Sequence, residues 1–214
     1  MATGELRTTE TIPRVNDPGA LAPGAAPASA FHPHRISVDR YHRMIASGCI
    51  AENEPIFLWK GQLVEKMTKG HRHSNSSAAL VVVLPPLVSV GWHLRPEQST
   101  VLGDDTEPEP DFMIVRGAVR DYQGRIPTAR DIALIIEVAD SSLAVDSGEV
   151  LEKYAQEGIP VYWIVNIPQQ RIEMFSHPQG GRYTEHRPYG PGEAIPVVLD
   201  GHEVGRIAVS EVLF

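Results

Sequence analysis

Short runs of apolar residues, each bounded by proline, glycine or charged residues, recur along the second half of the chain. Three of them, FMIV at 112–115, IALII at 132–136 and IPVYWIV at 159–165, are rich in isoleucine and valine. Runs of this length and composition are typical of strands that are buried on both faces of a sheet. We therefore predict that these three segments are successive buried strands.

Apolar residues at helical spacing predict two helices in the first part of the chain. The first follows Ser37 in SVDRYHRMIASG and ends near Gly48, because a glycine after the last periodic residue commonly stops a helix. The second is expected to start at Ser74 or Asn75, either of which can cap its amino terminus, and to end at Pro85.

A third helix is predicted over residues 147–157, between the second and third buried runs. Asp146 and Glu149 stand three residues apart at its start, which is the spacing of a capping box. Tyr154 belongs to its apolar stripe, and Lys153 lies on the flank of that stripe.

Alternating apolar and polar residues predict hairpins near both ends of the folded region. IFLWKGQLV turns at Lys60-Gly61, and the strands RIEMFSH and GRYTEHRP are joined by PQGG at 178–181. Strands and helices in this order imply an α/β (α+β) fold with a mixed central β-sheet flanked by helices. Residues 1–33 are rich in proline, alanine and glycine and are predicted to form a flexible tail before a single domain over residues 34–214.

Composition narrows the class of protein. The 214 residues carry a net charge of −8, so the molecule as a whole does not resemble a general nucleic-acid binder. Cys49 is the single cysteine, which excludes an internal disulfide and favours a cytoplasmic location. The start of the chain has no apolar segment of the kind found in secretory signals, and no apolar run is long enough to cross a membrane.

Two acidic residues stand at the edges of the buried runs. Asp111 precedes FMIV, and Glu137 follows IALII. A carboxylate in such a position is costly to bury unless it is paired or binds a cation, and a hard divalent cation suits two carboxylates. We expect the two to lie on adjacent strands, with a raised pKa for at least one of them when no metal is bound. Alternatively, Asp111 caps a turn and Glu137 pairs with an arginine.

Two groups of basic residues are candidates for contacts to the phosphates of DNA. Lys69, Arg72 and His73 precede the predicted second helix, where the helix dipole adds to their positive charge. The loop between the first two buried runs carries four arginines, Arg116, Arg120, Arg125 and Arg130. Both groups are also compatible with solvated surface loops.

Several of these segments together resemble the Uma-two-like family, a bacterial family of restriction-endonuclease-like proteins in the PD-(D/E)XK nuclease superfamily. The resemblance is carried by EPD at 109–111, IIEVADSSL at 135–143, Asp146, KYA at 153–155 and GIPVYWIVN at 158–166. LVEKMTKGHRH at 63–73 also resembles the segment before the family's first long helix. The likeness covers residues 36 to about 200 in the family's order.

The resemblance implies a restriction-endonuclease-like fold with Mg²⁺, or Mn²⁺, at the centre of the sheet. Asp111 and Glu137 are then the catalytic metal ligands, with the carbonyl of Val138 as a third oxygen. The family's lysine position is held by Val150, and Lys153 is the nearest substitute, with the role of orienting a water or offsetting charge on the phosphate. A second departure places Phe57 where the family often has glutamate.

Two functions follow from these observations. The first is a metal-dependent endonuclease that hydrolyses phosphodiester bonds of DNA. The second is a catalytically silent protein of the same fold that serves as a binding or scaffold module, which Val150, Phe57 and the acidic net charge favour. A homodimer is a further expectation for either function.

Overall fold

A six-stranded mixed sheet organises the computed structural model, which describes residues 32–51, 53–88 and 90–214. Its strand order is β3-β4-β5-β6-β7-β8, and β5 and β6 are parallel while every other pair of neighbours is antiparallel. Two hairpins, β1–β2 and β9–β10, form separate two-stranded sheets. The strands are β1 (Ile56–Trp59), β2 (Gln62–Glu65), β3 (Trp92–Pro96), β4 (Phe112–Arg116), β5 (Ile132–Ala139), β6 (Val161–Asn166), β7 (Arg171–Gln179), β8 (Arg182–Tyr189), β9 (Ala194–Leu199) and β10 (His202–Ala208).

The helices complete the mixed α+β architecture that the sequence predicts. They are α1 (Val38–Ala46), α2 (His71–Val83), α3 (Leu143–Val145) and α4 (Leu151–Gln156), with a π-helical turn over Asp146–Val150 between the last two. A parallel pair of strands needs a crossover connection, and the segment from α3 to α4 supplies it between β5 and β6. The predicted fold class is therefore confirmed.

Side chains of the central strands alternate between two apolar layers, which explains why their sequences are continuously hydrophobic. On one face, Phe112, Ile136 and Trp163 pack with α2 and with the β9–β10 hairpin. On the other face, Met113 and Ile135 pack against residues of the crossover segment, including Tyr154. The predicted buried strands are confirmed, and the sheet carries a core on each side.

The Lys60-Gly61 hairpin is also confirmed. Lys60 has φ of 47° and Gly61 has φ of 75°, and a two-residue turn of this kind requires positive φ at both positions. Ser37 caps α1, since its hydroxyl oxygen accepts a hydrogen bond from the N–H of Arg40 over 3.3 Å.

Two predicted helix starts are wrong. The second helix begins at His71 with Gly70 as its cap, because Ser74 donates its hydroxyl to the carbonyl of Gly70 within the first turn instead of capping it. The third helical segment begins at Leu143, and Asp146 lies inside it with a buried side chain. The predicted capping box at this position is therefore absent.

Residues His34–Phe214 form one compact unit. The predicted tail over residues 1–33 lies almost entirely outside the described residues. Among the described residues, no helix is long and apolar enough to cross a membrane.

Candidate active site

Asp111 lies just before β4 and is held by three donors. Its Oδ2 accepts hydrogen bonds from the backbone N–H of Val138 over 2.7 Å and from the ring of His73 over 3.0 Å. Its Oδ1 is 2.7 Å from the ammonium of Lys69. Burial by itself would raise the pKa of Asp111, but the bonds from His73 and Lys69 outweigh burial and hold the pKa below its usual value.

Glu137 lies on β5 opposite Asp111, because Phe112 pairs with Ile136 in the antiparallel register. Its Oε2 accepts the backbone N–H of Asp111 over 3.0 Å, and its Oε1 accepts the hydroxyl of Tyr154 over 2.7 Å. Burial raises the pKa of Glu137 well above its usual value, and the negative charges of Asp111 and Asp146 raise it further. The structure thus places Glu137 on β5 and Asp111 directly before the adjacent strand β4, and one of the two acids has the expected raised pKa.

Asp146 is a third buried carboxyl at this site, and the sequence interpretation missed its role. Burial raises the pKa of Asp146 to about 6, the Asp111 charge adds to this effect, and a hydrogen bond with Ser142 opposes it. A signal was present in the sequence, since Asp146, Val150 and Tyr154 recur every four residues and fall on one face of a helix. The π-helical turn that starts at Asp146 could not be seen from the sequence.

The start of α2 and the end of β3 complete the surroundings of Asp111. Lys69, just before α2, also lies 2.7 Å from Oε1 of Glu97. Glu97 follows β3 with φ of 51°, and its N–H donates to the carbonyl of Asp111 over 3.0 Å. Arg72 points elsewhere and donates to Asp140 over 3.3 Å and to the carbonyl of Ile167 over 3.2 Å. Of the predicted basic group, Lys69 and His73 therefore contact the acid pair.

Lys153 is buried on α4, and its ammonium is engaged away from the acid pair. It lies 2.7 Å from Oε1 of Glu157 and 3.8 Å from Oδ1 of Asp105. Within the described part of the chain these are its ion-pair partners, and neither is Asp111 or Glu137. Val150, which holds the family's lysine position, is the last residue of the π-helical turn and packs against the apolar layer between the crossover segment and the sheet.

The arginine loop joins the far ends of β4 and β5, so the structure does not bring it to the acids. Arg116 is five extended residues from Asp111, or about 17 Å along the strand. It pairs with Asp200 and donates to the carbonyls of Arg130 and Ile132. Arg125 pairs with Asp131 through two bonds of 2.6 and 2.9 Å. Arg120 and the side chain of Arg130 are exposed.

A divalent cation fits the acid pair by its donor chemistry. Among the described residues, no group of three or more His, Cys, Asp and Glu side chains is arranged to hold a metal ion. Asp111 and Glu137 nevertheless offer hard carboxylate oxygens, and Mg²⁺ commonly uses one or two carboxylates together with water and substrate phosphates. Burial raises the pKa of Glu137, the negative charges of Asp111 and Asp146 raise it further, and a nearby cation would oppose this shift.

Comparison with known proteins agrees with the fold. The family model described as "Uma2: Putative restriction endonuclease" matches residues 38–208, which is most of the chain, and the protein therefore belongs to this family. A solved structure described as a "putative nuclease belonging to DUF820" from Anabaena variabilis is similar, with a TM-score of 0.57 and 17% identity. The match covers 83% of this chain and 97% of that chain. No curated protein matches the sequence.

Proposed function

We propose that the protein is a metal-dependent endonuclease that cleaves phosphodiester bonds of DNA. Membership of a restriction endonuclease family supports a nuclease function. The observation that supports metal dependence is that Asp111, directly before β4, lies opposite Glu137 on β5. Each carboxylate accepts a hydrogen bond from the backbone of the other acid's segment. In this proposal both carboxylates hold Mg²⁺ or Mn²⁺, and the carbonyl of Val138 is a third oxygen ligand. When bound, the cation polarises the phosphate and lowers the pKa of a coordinated water.

The chain's own residues orient this pair of ligands. The N–H groups of Asp111 and Val138 and the hydroxyl of Tyr154 fix three of the four carboxylate oxygens by hydrogen bonds. Ligands that are fixed in advance need little rearrangement when the cation binds. His73, on Oδ2 of Asp111, holds the same carboxylate from α2. The site is thus preorganised from two strands and two helical segments.

The test is cleavage of plasmid and single-stranded DNA after removal of metal and addition of Mg²⁺ or Mn²⁺. The wild type is expected to cut only with metal, and Asp111→Asn and Glu137→Gln are expected to lose cleavage while remaining folded. Asp39→Asn, which alters an exposed carboxylate on α1, is the matched control and should cut normally. Cleavage that survives in both site variants would rule out this pair as the metal site.

The second candidate, a catalytically silent binding protein, is favoured by the surroundings of Lys153. Its ammonium is paired with Glu157, and the apolar Val150 holds the neighbouring position where the family has a lysine. A protein that binds DNA and Mn²⁺ but leaves every DNA substrate intact would match this candidate. Recovery of cleavage in Val150→Lys would then identify the missing lysine as the cause.

A further inference from the structure

A single ammonium group bridges two carboxylates at the edge of the acid pair. The Nζ of Lys69 lies 2.7 Å from Oδ1 of Asp111 and 2.7 Å from Oε1 of Glu97. Glu97 is fixed beside Asp111 by its own backbone, since its N–H donates to the Asp111 carbonyl over 3.0 Å. Its φ of 51° is in the left-handed region, which costs energy for a residue other than glycine. Glu97 adopts this conformation, and its carboxylate contacts Lys69.

The oxygen that Lys69 holds is the one that is otherwise free. Oδ2 of Asp111 already accepts from Val138 and His73. Among the described residues, the hydrogen-bonding partner of Oδ1 is Lys69. A divalent cation that binds Asp111 would take this oxygen, and two positive charges a few ångströms apart repel strongly in a partly buried site. Lys69 and the metal therefore compete for one atom.

The other lysines near the site have partners of their own. Lys66 pairs with Glu109 over 2.6 Å, Lys60 with Glu149 over 2.9 Å, and Lys153 with Glu157 over 2.7 Å. Lys69 alone among the described lysines contacts Asp111. It stands in a connecting segment before α2, its side chain is partly exposed, and a lysine stem has several rotatable bonds, so the ammonium can change partners.

We propose that Lys69 is an internal counter-cation that holds Asp111 and Glu97 in the metal-free protein. On metal binding it leaves Asp111, keeps Glu97 as its anchor, and turns its charge to the phosphate of the DNA. This assignment rests on the proposed nuclease function and gives Lys69 the charge-offsetting role that the family resemblance implied for Lys153.

Lys69→Met tests the assignment through two effects of opposite sign. Removal of the competing charge is expected to tighten Mn²⁺ binding, measured by titration calorimetry, by about tenfold or more, because repulsion between nearby charges is strong where water is partly excluded. The same variant should melt at a lower temperature without metal and cleave DNA more slowly with saturating metal. A lysine with a purely structural role would not tighten metal binding.

Lys66→Met is the matched control. Lys66 pairs with Glu109, which lies between β3 and β4 as Glu97 does, but Lys66 does not contact Asp111. This variant should keep the wild-type affinity for Mn²⁺. As a second measurement, reductive methylation followed by mass spectrometry should label Lys69 faster in the presence of Mg²⁺, while Lys66 and Lys60 keep their rates.

The outcomes separate this inference from the proposed function. If the wild type binds Mn²⁺ and cuts DNA but Lys69→Met binds Mn²⁺ no more tightly than Lys66→Met, the counter-cation role is wrong and the nuclease function stands. If metal leaves the labelling rate of Lys69 unchanged, the proposed movement of Lys69 is wrong. A wild type that neither binds metal nor cuts DNA would overturn both proposals.

Discussion

Asp111 and Glu137 are oriented by each other's backbone. The N–H of Asp111 donates to Oε2 of Glu137 over 3.0 Å, and the N–H of Val138, the next residue after Glu137, donates to Oδ2 of Asp111 over 2.7 Å. The antiparallel register of β4 and β5 produces this exchange, because it sets the two acids opposite each other where the strands meet the start of α2. Each carboxylate is thus held in place by the neighbouring strand.

The two acids should respond in opposite ways to neutralisation when no metal is present. Asp111→Asn is expected to lower the free energy of unfolding by about 1–3 kcal/mol, because bonds from Lys69 and His73 to a charged carboxylate are lost. Glu137→Gln should keep or exceed the wild-type value, because burial and the charge of Asp111 already disfavour the ionised form of Glu137. Urea unfolding at pH 7 with a chelator measures both values. Equal losses in the two variants would contradict the opposite pKa shifts of the two carboxyls.

Asp146 should make the protein less stable as the pH rises from about 4 to 6. Its pKa is 3.8 when unperturbed and about 6 in the folded protein, so the folded state binds more protons than the unfolded chain in this window. At about 1.4 kcal/mol for each pH unit, the loss amounts to roughly 3 kcal/mol. The stabilising contribution of protonated Asp146 is fully present below its unperturbed pKa of 3.8 and is lost above its folded-state pKa of about 6.

Asp146→Asn should remove most of this dependence and should be more stable than the wild type at pH 7.5. The measurement is urea unfolding at pH 4.5 and pH 7.5 in the presence of a chelator. Asp39→Asn serves as control because Asp39 is an exposed residue of α1. An unchanged difference between the two pH values in Asp146→Asn would show that another group titrates.

Two buried tyrosines offer a matched test of ligand orientation. The hydroxyl of Tyr154 donates to Oε1 of Glu137 over 2.7 Å, whereas that of Tyr162 donates to the backbone carbonyl of Asp146 over 3.2 Å. Both Tyr→Phe variants should lose about 1 kcal/mol of stability. Only Tyr154→Phe is expected to weaken Mn²⁺ binding, measured by calorimetry, since it removes the hydrogen bond that orients the carboxylate of Glu137. Equal Mn²⁺ affinities in the two variants would count against Glu137 as a ligand.

The arginines of the loop should divide into structural and DNA-binding residues. Arg116→Ala is expected to lower the melting temperature, because Arg116 pairs with Asp200 and bonds two loop carbonyls. Arg120 and Arg130 have exposed side chains, whereas Arg125 is bound to Asp131. Replacement of Arg120 and Arg130 by alanine should weaken binding equally for unrelated DNA sequences and reduce the slope of log affinity against log salt by about 2. Filter binding at several salt concentrations measures this slope. An unchanged slope in the double variant would show that these arginines do not contact DNA.

The strands and the acid pair were accessible from the sequence because their signals are local. Ile- and Val-rich runs mark β4, β5 and β6, and Asp111 and Glu137 interrupt such runs where a charge is costly. Positive φ at Lys60 and Gly61 follows from the residue types that favour a two-residue turn. In each case a few consecutive residues are enough to predict the local structure.

The rest of the site depends on contacts between distant segments. Asp146 has the sequence signature of a helix cap, and only its burial against the sheet gives it another role. Nothing near Glu97 indicates that its carboxylate meets Lys69, which is 28 residues earlier in the chain. The four arginines are close in sequence to Asp111, but an extended strand carries them to the opposite end of the sheet. Sequence spacing does not report such distances.

The pairing of β5 on both edges also bears on how the chain is synthesised. β5 carries one charged residue in eight, and its partner β6 begins only at Val161, after the crossover segment. On the ribosome, IALIIEVA therefore emerges before the strand that will cover one of its edges. An apolar strand with an unpaired edge readily joins strands of other chains. A nascent chain is thus exposed to aggregation while the crossover segment is translated, and a chain truncated before β6 would remain exposed.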